Sequence, residues 1–407
     1  MTRGFLTPGN PPETGPCHDG RVSIVDASIA RLGPLLDDAG TLIRQESPSD
    51  DRKAVLASAD VVARVVGERF AQAGIAADAE RIVVDGCPHV RWRWGDGPAR
   101  VLLLAHHDTV WPLGTLERLP FTVSDGVMRG PGCFDMIVGL LQAVHALCAL
   151  VETSGAHAVD GVTLLVTGDE EIGSVTSRAL LEAEAAGCEA VLVLEAAGPG
   201  GALKTARKGV SLYSVEAMGA AAHAGLEPEK GVNATIEIAH QIPLIAALAD
   251  AARGTTVTPT RLMADTTVNT VPAHARVDVD VRATTAAEQR RVDDAMSALV
   301  PVLPGAQLRV TGGINRPVME RASAAALYSK AAALAPAVGI QALGEIAVGG
   351  ASDGNFTAGL GVPTLDGLGA VGGGAHADDE HVLIDHIVPR TALLALLVAD
   401  LLAGESS

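Results

Sequence analysis

Two histidines and a series of carboxylates stand where apolar runs end, which is where a folded chain can gather them. His106, His107 and Asp108 close the run VLLLA. On an extended strand residues two apart share a face, so His106 and Asp108 point together and His107 points away. A carboxylate beside an imidazole fixes the ring tautomer that binds a metal, although an HxD triplet alone is more often a plain polar strand end. Asp135, in GPGCFDM, follows a glycine-rich loop and opens an apolar stretch; by itself it reads as a helix N-cap, a position that aspartate favours. Gly168-Asp169-Glu170-Glu171-Ile172-Gly173-Ser174 sets three acids side by side directly after VTLLV. Adjacent acids repel one another unless a cation compensates. An exposed acidic turn would explain them; so would a metal site in which one glutamate is a ligand and its neighbour a general base. Glu195 ends VLVLE, and His376 lies in GGGAHADDEHV. Oxygen donors with imidazole and no thiolate suit a hydrolytic centre of Zn²⁺, Mn²⁺ or Co²⁺.

The elements that must deliver these residues alternate. From about Val22 to Ala206, short apolar runs (100–108, 161–171, 190–196) alternate with helical patterns such as 136–151. That order predicts an α/β catalytic domain with a mainly parallel central sheet flanked by helices, its ligands held at the strand ends. Between Lys208 and Gly313 the rhythm becomes strand, helix, strand, strand, helix, strand, the βαββαβ order of a ferredoxin-like unit. Its middle strands are expected in RLMADTTVNTV and HARVDVDVRAT, joined around Pro272. The expected organisation is a flexible leader at 1–20, a first catalytic part at 21–207, an inserted domain at 208–314, and a second catalytic part at 315–407.

Composition narrows the classes of function. The net charge of −18 over 407 residues argues against a nucleic-acid surface, which needs clustered basic groups. Hydrophobic residues make up 48%, enough for a large core and too many for disorder. Aromatics at 2% leave little for stacking bases or sugars. The longest uncharged apolar stretch, 136–151, contains Gln142 and His145 and is short for a membrane span. The first 20 residues, rich in Pro and Gly, lack the apolar core of a secretion signal, so a cytoplasmic protein is expected. Five scattered cysteines with no CxxC spacing point to neither a disulfide framework nor a cysteine-zinc site.

Six motifs in order, AHHDTV, GPGCFDM, GDEEIGS, VLEA, AHAGLEPEKGVNA and GGASDGN followed by GAHADDEHV, resemble those of the co-catalytic di-zinc amidohydrolases. That family includes bacterial glutamate carboxypeptidases, acetylornithine deacetylase, succinyl-diaminopimelate desuccinylase and aminoacylase, and the resemblance runs from about Val22 to Leu402. It implies two zinc ions per chain, with Co²⁺ or Mn²⁺ as substitutes. His106, Asp135 and Glu195 would hold one ion; Asp135, Glu171 and His376 the other, with Asp135 bridging. Two metals roughly 3.5–4 Å apart would clamp a water, Glu170 would be the general base, and Asp108 would orient His106. The resemblance also makes Asp135–Met136 a candidate cis peptide and the inserted domain a lid and dimerisation domain. His223 would reach a neighbouring active site to stabilise the oxyanion. Asn269 would lie near the substrate, Arg316 would bind a substrate carboxylate, and the loop around Gly350 would line the pocket. One departure is Met136-Ile137-Val138-Gly139, where the family carries a lysine- and glycine-containing run.

The wording of HAGLEPEKGVNA and GGASD is most similar to the glutamate carboxypeptidases. The expected activity is therefore metal-dependent cleavage of an amide bond next to a free carboxylate, in a small peptide or N-acyl amino acid, by a homodimer. An N-acyl-amino-acid deacylase of the deacetylase or desuccinylase type is the alternative. A non-catalytic binding protein on the same scaffold would have lost Glu170 or ligands, and all are in place. A phosphatase or nuclease would be favoured by a basic cradle for phosphates, and the residues around the motifs supply none.

Overall fold

A computed structural model describes residues 22–404 apart from Ala77 and Asp265; the expected leader at 1–20 and Cys17 lie outside the described residues. The architecture is mixed α/β. A six-stranded sheet runs in the spatial order Glu80–Val84, Cys87–Arg93, Val162–Thr167, Val101–His106, Ala190–Val193, Thr364–Leu365. The last four of these are mutually parallel. The first two form a hairpin that joins antiparallel to Val162–Thr167. Asp85 and Gly86 turn that hairpin with φ of +47° and +78°, as a two-residue turn between twisted strands requires.

The strand Val101–His106 is buried along its whole length because both faces are covered. Val101, Leu103 and Ala105 join the larger core with the helix Val138–Ser154 and the C-terminal helix Ile387–Ala403. Leu102 and Leu104 pack on the other side with Leu181 and Phe356. By length and composition Cys133–Ser154 could cross a membrane, but 94% of that apolar window is buried inside the fold. His107 does face away from His106: its Nδ1 lies 3.1 Å from Ser58 Oγ.

Residues 209–316 form a second, four-stranded antiparallel sheet. Its strands stand in the order Thr256–Met263, His274–Ala283, Gly209–Met218, Gln307–Arg316. The helices Ala234–Ala246 and Ala286–Ser297 pack on it over a separate core that includes Val215, Ile238, Val277, Val292 and Met296. Asn233 and Thr285 cap these helices, accepting from Ile236 N and Glu288 N. One strand departs from expectation. The outer partner of His274–Ala283 is Thr256–Met263, which overlaps the expected segment only at 261–263 and otherwise lies upstream of it, and it accommodates Pro259 at an irregularity in register. Thr270–Val271 pairs instead with Ala222–His223 in a short ribbon.

The core helix approaches the site through backbone alone. A Cβ on Gly139 would stand 2.0 Å from Leu194 O, and one on Gly369 would stand 2.1 Å from the same oxygen. Leu194 precedes Glu195, so the two glycines permit the contact that locates that carboxylate. Gly139→Ala is therefore expected to destabilise the protein by about 1–3 kcal/mol, the usual cost of overpacking. Denaturant unfolding would measure it; an unchanged midpoint would mean that the helix has room to shift.

Candidate metal centre

Three adjacent parallel strands deliver the first group of side chains. His106 is the last residue of its strand and pairs with Thr167, after which Gly168 leads into Asp169, Glu170 and Glu171. Glu195 lies two residues beyond Ala190–Val193. Their carboxyl ends make one rim, the ordinary ligand position of an open α/β sheet.

Asp135 comes from the turn Cys133–Ile137, whose Asp135–Met136 peptide bond is cis. The N-cap reading fails here: the helix Val138–Ser154 has no side-chain cap, because the Asp135 carboxylate is turned towards two histidines. Its Oδ1 lies 3.4 Å from His106 Nε2 and its Oδ2 lies 3.3 Å from His376 Nε2. Glu195 Oε1 approaches His106 Nε2 at 3.6 Å, and Glu171 Oε2 approaches His376 Nε2 at 3.3 Å. The five side chains thus form two triads that share Asp135. Glu195 is 8% exposed, which excludes a merely solvated strand end.

Whether this donor set fits metal ions can be tested on the polar atoms it leaves unpartnered. His106 Nε2 and Glu171 Oε1 are buried with no hydrogen-bond partner, and buried polar atoms rarely remain so without a reason. Ligand atoms of His106, Asp135 and Glu171 lie within 4.8 Å of one another, as do those of His106, Glu170 and Glu195. Two imidazoles and three carboxylates suit a hard or borderline divalent ion. The charged side chains also lean on one another. Burial works to raise the Asp135 carboxyl, but the neighbouring His106 and His376 rings hold it below the ordinary range. The His376 ring is pushed up to about 10 by Asp135 and Glu171. Burial raises Glu171, with His376 opposing.

Asp108 holds this group in place. The His106 Nδ1 lies 3.0 Å from Asp108 O and 3.4 Å from its Oδ1, leaving Nε2 aimed at Asp135 and Glu195. The same buried carboxylate accepts from Ser49 Oγ at 2.6 Å and from the backbone N–H groups of Glu170 and Glu171 at 3.2 Å each. It therefore sets the position of the acidic loop as well as the ring.

Glu170 is buried beside the two triads and meets Arg316. Arg316 Nη2 donates to Glu170 Oε1 at 2.9 Å and to Ser174 Oγ at 2.9 Å, and lies 3.3 Å from Asp353 Oδ1. Its guanidinium stacks on Phe356 at 5.3 Å, and its Nε is buried without a partner. Burial raises the Glu170 carboxyl well above the ordinary range, with Arg316 opposing. Arg207, which sequence reading missed, lies 3.6 Å from Glu195 Oε2. It pairs with Asp366 through two bonds and donates to Gly350 O at 3.0 Å. Arg207 and Arg316 stand beside the motifs, both engaged with protein carboxylates. In TARKG nothing marks Arg207 as buried; only its place at a strand end hints at it. Glu380, also missed, lies buried against the loop of Asp135.

His223 and Asn269 are brought to each other and not to this centre. Ala224 N donates to Asn269 O at 2.9 Å, and His223 pairs with Thr270 on the ribbon. The His223 Nδ1 accepts from Gly225 N, and among the described residues no hydrogen bond joins either side chain to the metal-centre group.

Residues 102–400 match the model of peptidase family M20/M25/M40. The chain belongs to this family. As an M20-type peptidase it is a hydrolase of peptide or amide bonds. It is 33% identical over 319 residues to carboxypeptidase G2 of Pseudomonas sp. (strain RS-16), covering 76% of each chain. Over 159 residues it is 31% identical to succinyl-diaminopimelate desuccinylase of Leptothrix cholodnii, covering 38% of this chain and 37% of that one. Its fold is shared by an M20 family metallo-carboxypeptidase from Sulfolobus solfataricus, with a TM-score of 0.64 at 15% identity over 91% of this chain and 98% of that one.

Asp108→Asn would turn an amide N–H₂ towards donors that now meet carboxylate oxygen. Metal affinity of this M20 peptidase is expected to fall about 10–100-fold, the usual effect of losing a partner that orients a ligand. Chelator competition would read it, and wild-type affinity in the variant would remove Asp108 from the orienting role.

Proposed function

We propose that the protein is a metal-dependent, glutamate-carboxypeptidase-like exopeptidase. It releases a C-terminal residue by hydrolysing the amide bond next to that residue's free carboxylate. The observation that carries this reading is Arg316, whose buried Nε lacks a partner while its Nη2 touches Glu170. A guanidinium in that position can take a carboxylate and hold the neighbouring amide close to the general base. The likeness to carboxypeptidase G2 over three quarters of the chain supports the same reading.

His106, Asp135 and Glu195 would hold one divalent ion and Asp135, Glu171 and His376 the other, zinc being the assignment that suits these donors. Bound ions supply Lewis acidity and lower the pKa of water. The residues of the chain do the rest. Glu170, close to both triads and coordinated in neither, takes the proton of the attacking water and returns it to the departing amine nitrogen. Asp108 keeps the His106 ring in its tautomer, and Arg316 orients the substrate while balancing the charge on Glu170. We further propose a homodimer joined through the inserted unit, because His223 and Asn269 do not reach this chain's own centre. In that assembly His223 would serve the neighbouring centre as oxyanion donor. The desuccinylase likeness favours a second reading, an N-acyl-amino-acid deacylase, which would use the same residues.

Two measurements test the proposal. Glu170→Ala should abolish turnover while metal content stays at about two per chain; substantial residual activity would take Glu170 out of the mechanism. A matched amide panel, with a chelator control, separates the readings. Selection for glutamate or aspartate as the released residue is expected, whereas selection for the acyl group with indifference to the residue would establish the deacylase.

A further inference from the structure

The turn that presents Asp135 and the turn that presents His376 are tied together twice. On one side the strand His381–Leu383 pairs with Val127–Arg129, His381 opposite Arg129, so both turns leave from one ladder. On the other side stands Glu380, 3% exposed. Its Oε2 accepts from Trp111 Nε1 at 2.8 Å and Gly132 N at 2.9 Å. Its Oε1 accepts from Phe134 N at 2.9 Å and Asp135 N at 3.0 Å. All four partners are donors. Only a group that accepts at both ends satisfies such a cage, and an ionised carboxylate is the one side chain that does. Glu380 is itself held to His376 by a tight turn, with Ala377 N bonded to Gly374 O and Glu380 N to Ala377 O, each at 2.9 Å.

We infer that Glu380 is a positioning residue that clamps the Asp135 loop to the His376 turn and sets the spacing of the metal position they share. The inference rests on the two-metal reading above and deepens it. Freeing the clamp loosens Asp135 and His376, two of the three donors at the Glu171 position. At the other position, formed with His106 and Glu195, it loosens Asp135 alone. The loss of affinity therefore falls mainly on one of the two ions.

The test is stepwise titration of the metal-free protein with Zn²⁺ against a competing indicator, repeated with Co²⁺ to follow its visible absorption. Glu380→Gln keeps the volume but meets the cage with an amide N–H₂ at one end. In this variant one zinc dissociation constant is expected to rise about 10–100-fold, with the other near its wild-type value and one component of the Co²⁺ spectrum altered. Trp111→Phe removes a single donor and should give a smaller rise of the same constant, which preserves the test if Glu380→Gln folds poorly. Unchanged constants would overturn the inference, and so would an equal rise in both that tracks a fall in Tm. Wild-type protein that takes up a single ion would instead defeat the two-metal reading, and the clamp with it.

Discussion

The centre depends on one buried carboxylate. Asp108 lies in the interior with no solvent to stabilise its charge, and a buried charge is tolerable only when hydrogen bonds satisfy it. The Ser49 hydroxyl and two backbone N–H groups do so, while the His106 ring lies 3.4 Å from Oδ1 and bonds the Asp108 carbonyl. Because these groups come from three separate parts of the chain, the same residue fixes where the ring and the acidic loop stand. Electrostatics and geometry are one constraint here. Around it the fold gathers Asp135, Glu170, Glu171 and Glu195, beside two arginines that are also engaged with Asp366 and Asp353. A pair of divalent cations is the natural complement.

The α/β arrangement explains why the gathering succeeds. Parallel strands end together, so His106, the acidic loop and Glu195 arrive at one rim without a long connection. The inserted unit reaches the centre through a strand: Gln307–Arg316 begins in the second sheet and ends with Arg316 against Glu170. The end of that strand, past Gly312 and Gly313 with their positive φ angles, is thus where the second sheet meets Glu170.

Much of this was legible from residue order, and what was missed shares a cause. Strand-end polar residues after VLLLA, VTLLV and VLVL stand out because the runs before them are fully buried, and the ordered motifs carried the family. Asp135 read by itself as a cap, as His106-His107-Asp108 read by itself as a polar strand end, since an aspartate before a helix does not reveal which way its carboxylate turns. The hairpin Glu80–Arg93 went unread because its outer strand alternates polar residues and lies at the sheet edge, although Asp85-Gly86 was a visible turn signal. Thr256–Met263 was displaced in the reading by its proline and its exposed side chains. Glu380 hid in an acidic run that looks solvated, and Arg207 in a basic one. Burial of a single charged residue depends on distant partners, and no local pattern reports those.

The carbonyl of Leu194, lodged between Gly139 and Gly369, has a mechanical consequence. Main chain rests on main chain there, with no side chain between to change rotamer or absorb a displacement. Protein interiors are stiff where they are close-packed, and this contact lies in series between the core helix and the carboxylate that follows. Compression or thermal expansion of the core would be transmitted to Glu195 undamped, making the separation of the centre's donors a sensitive gauge of strain in the whole domain.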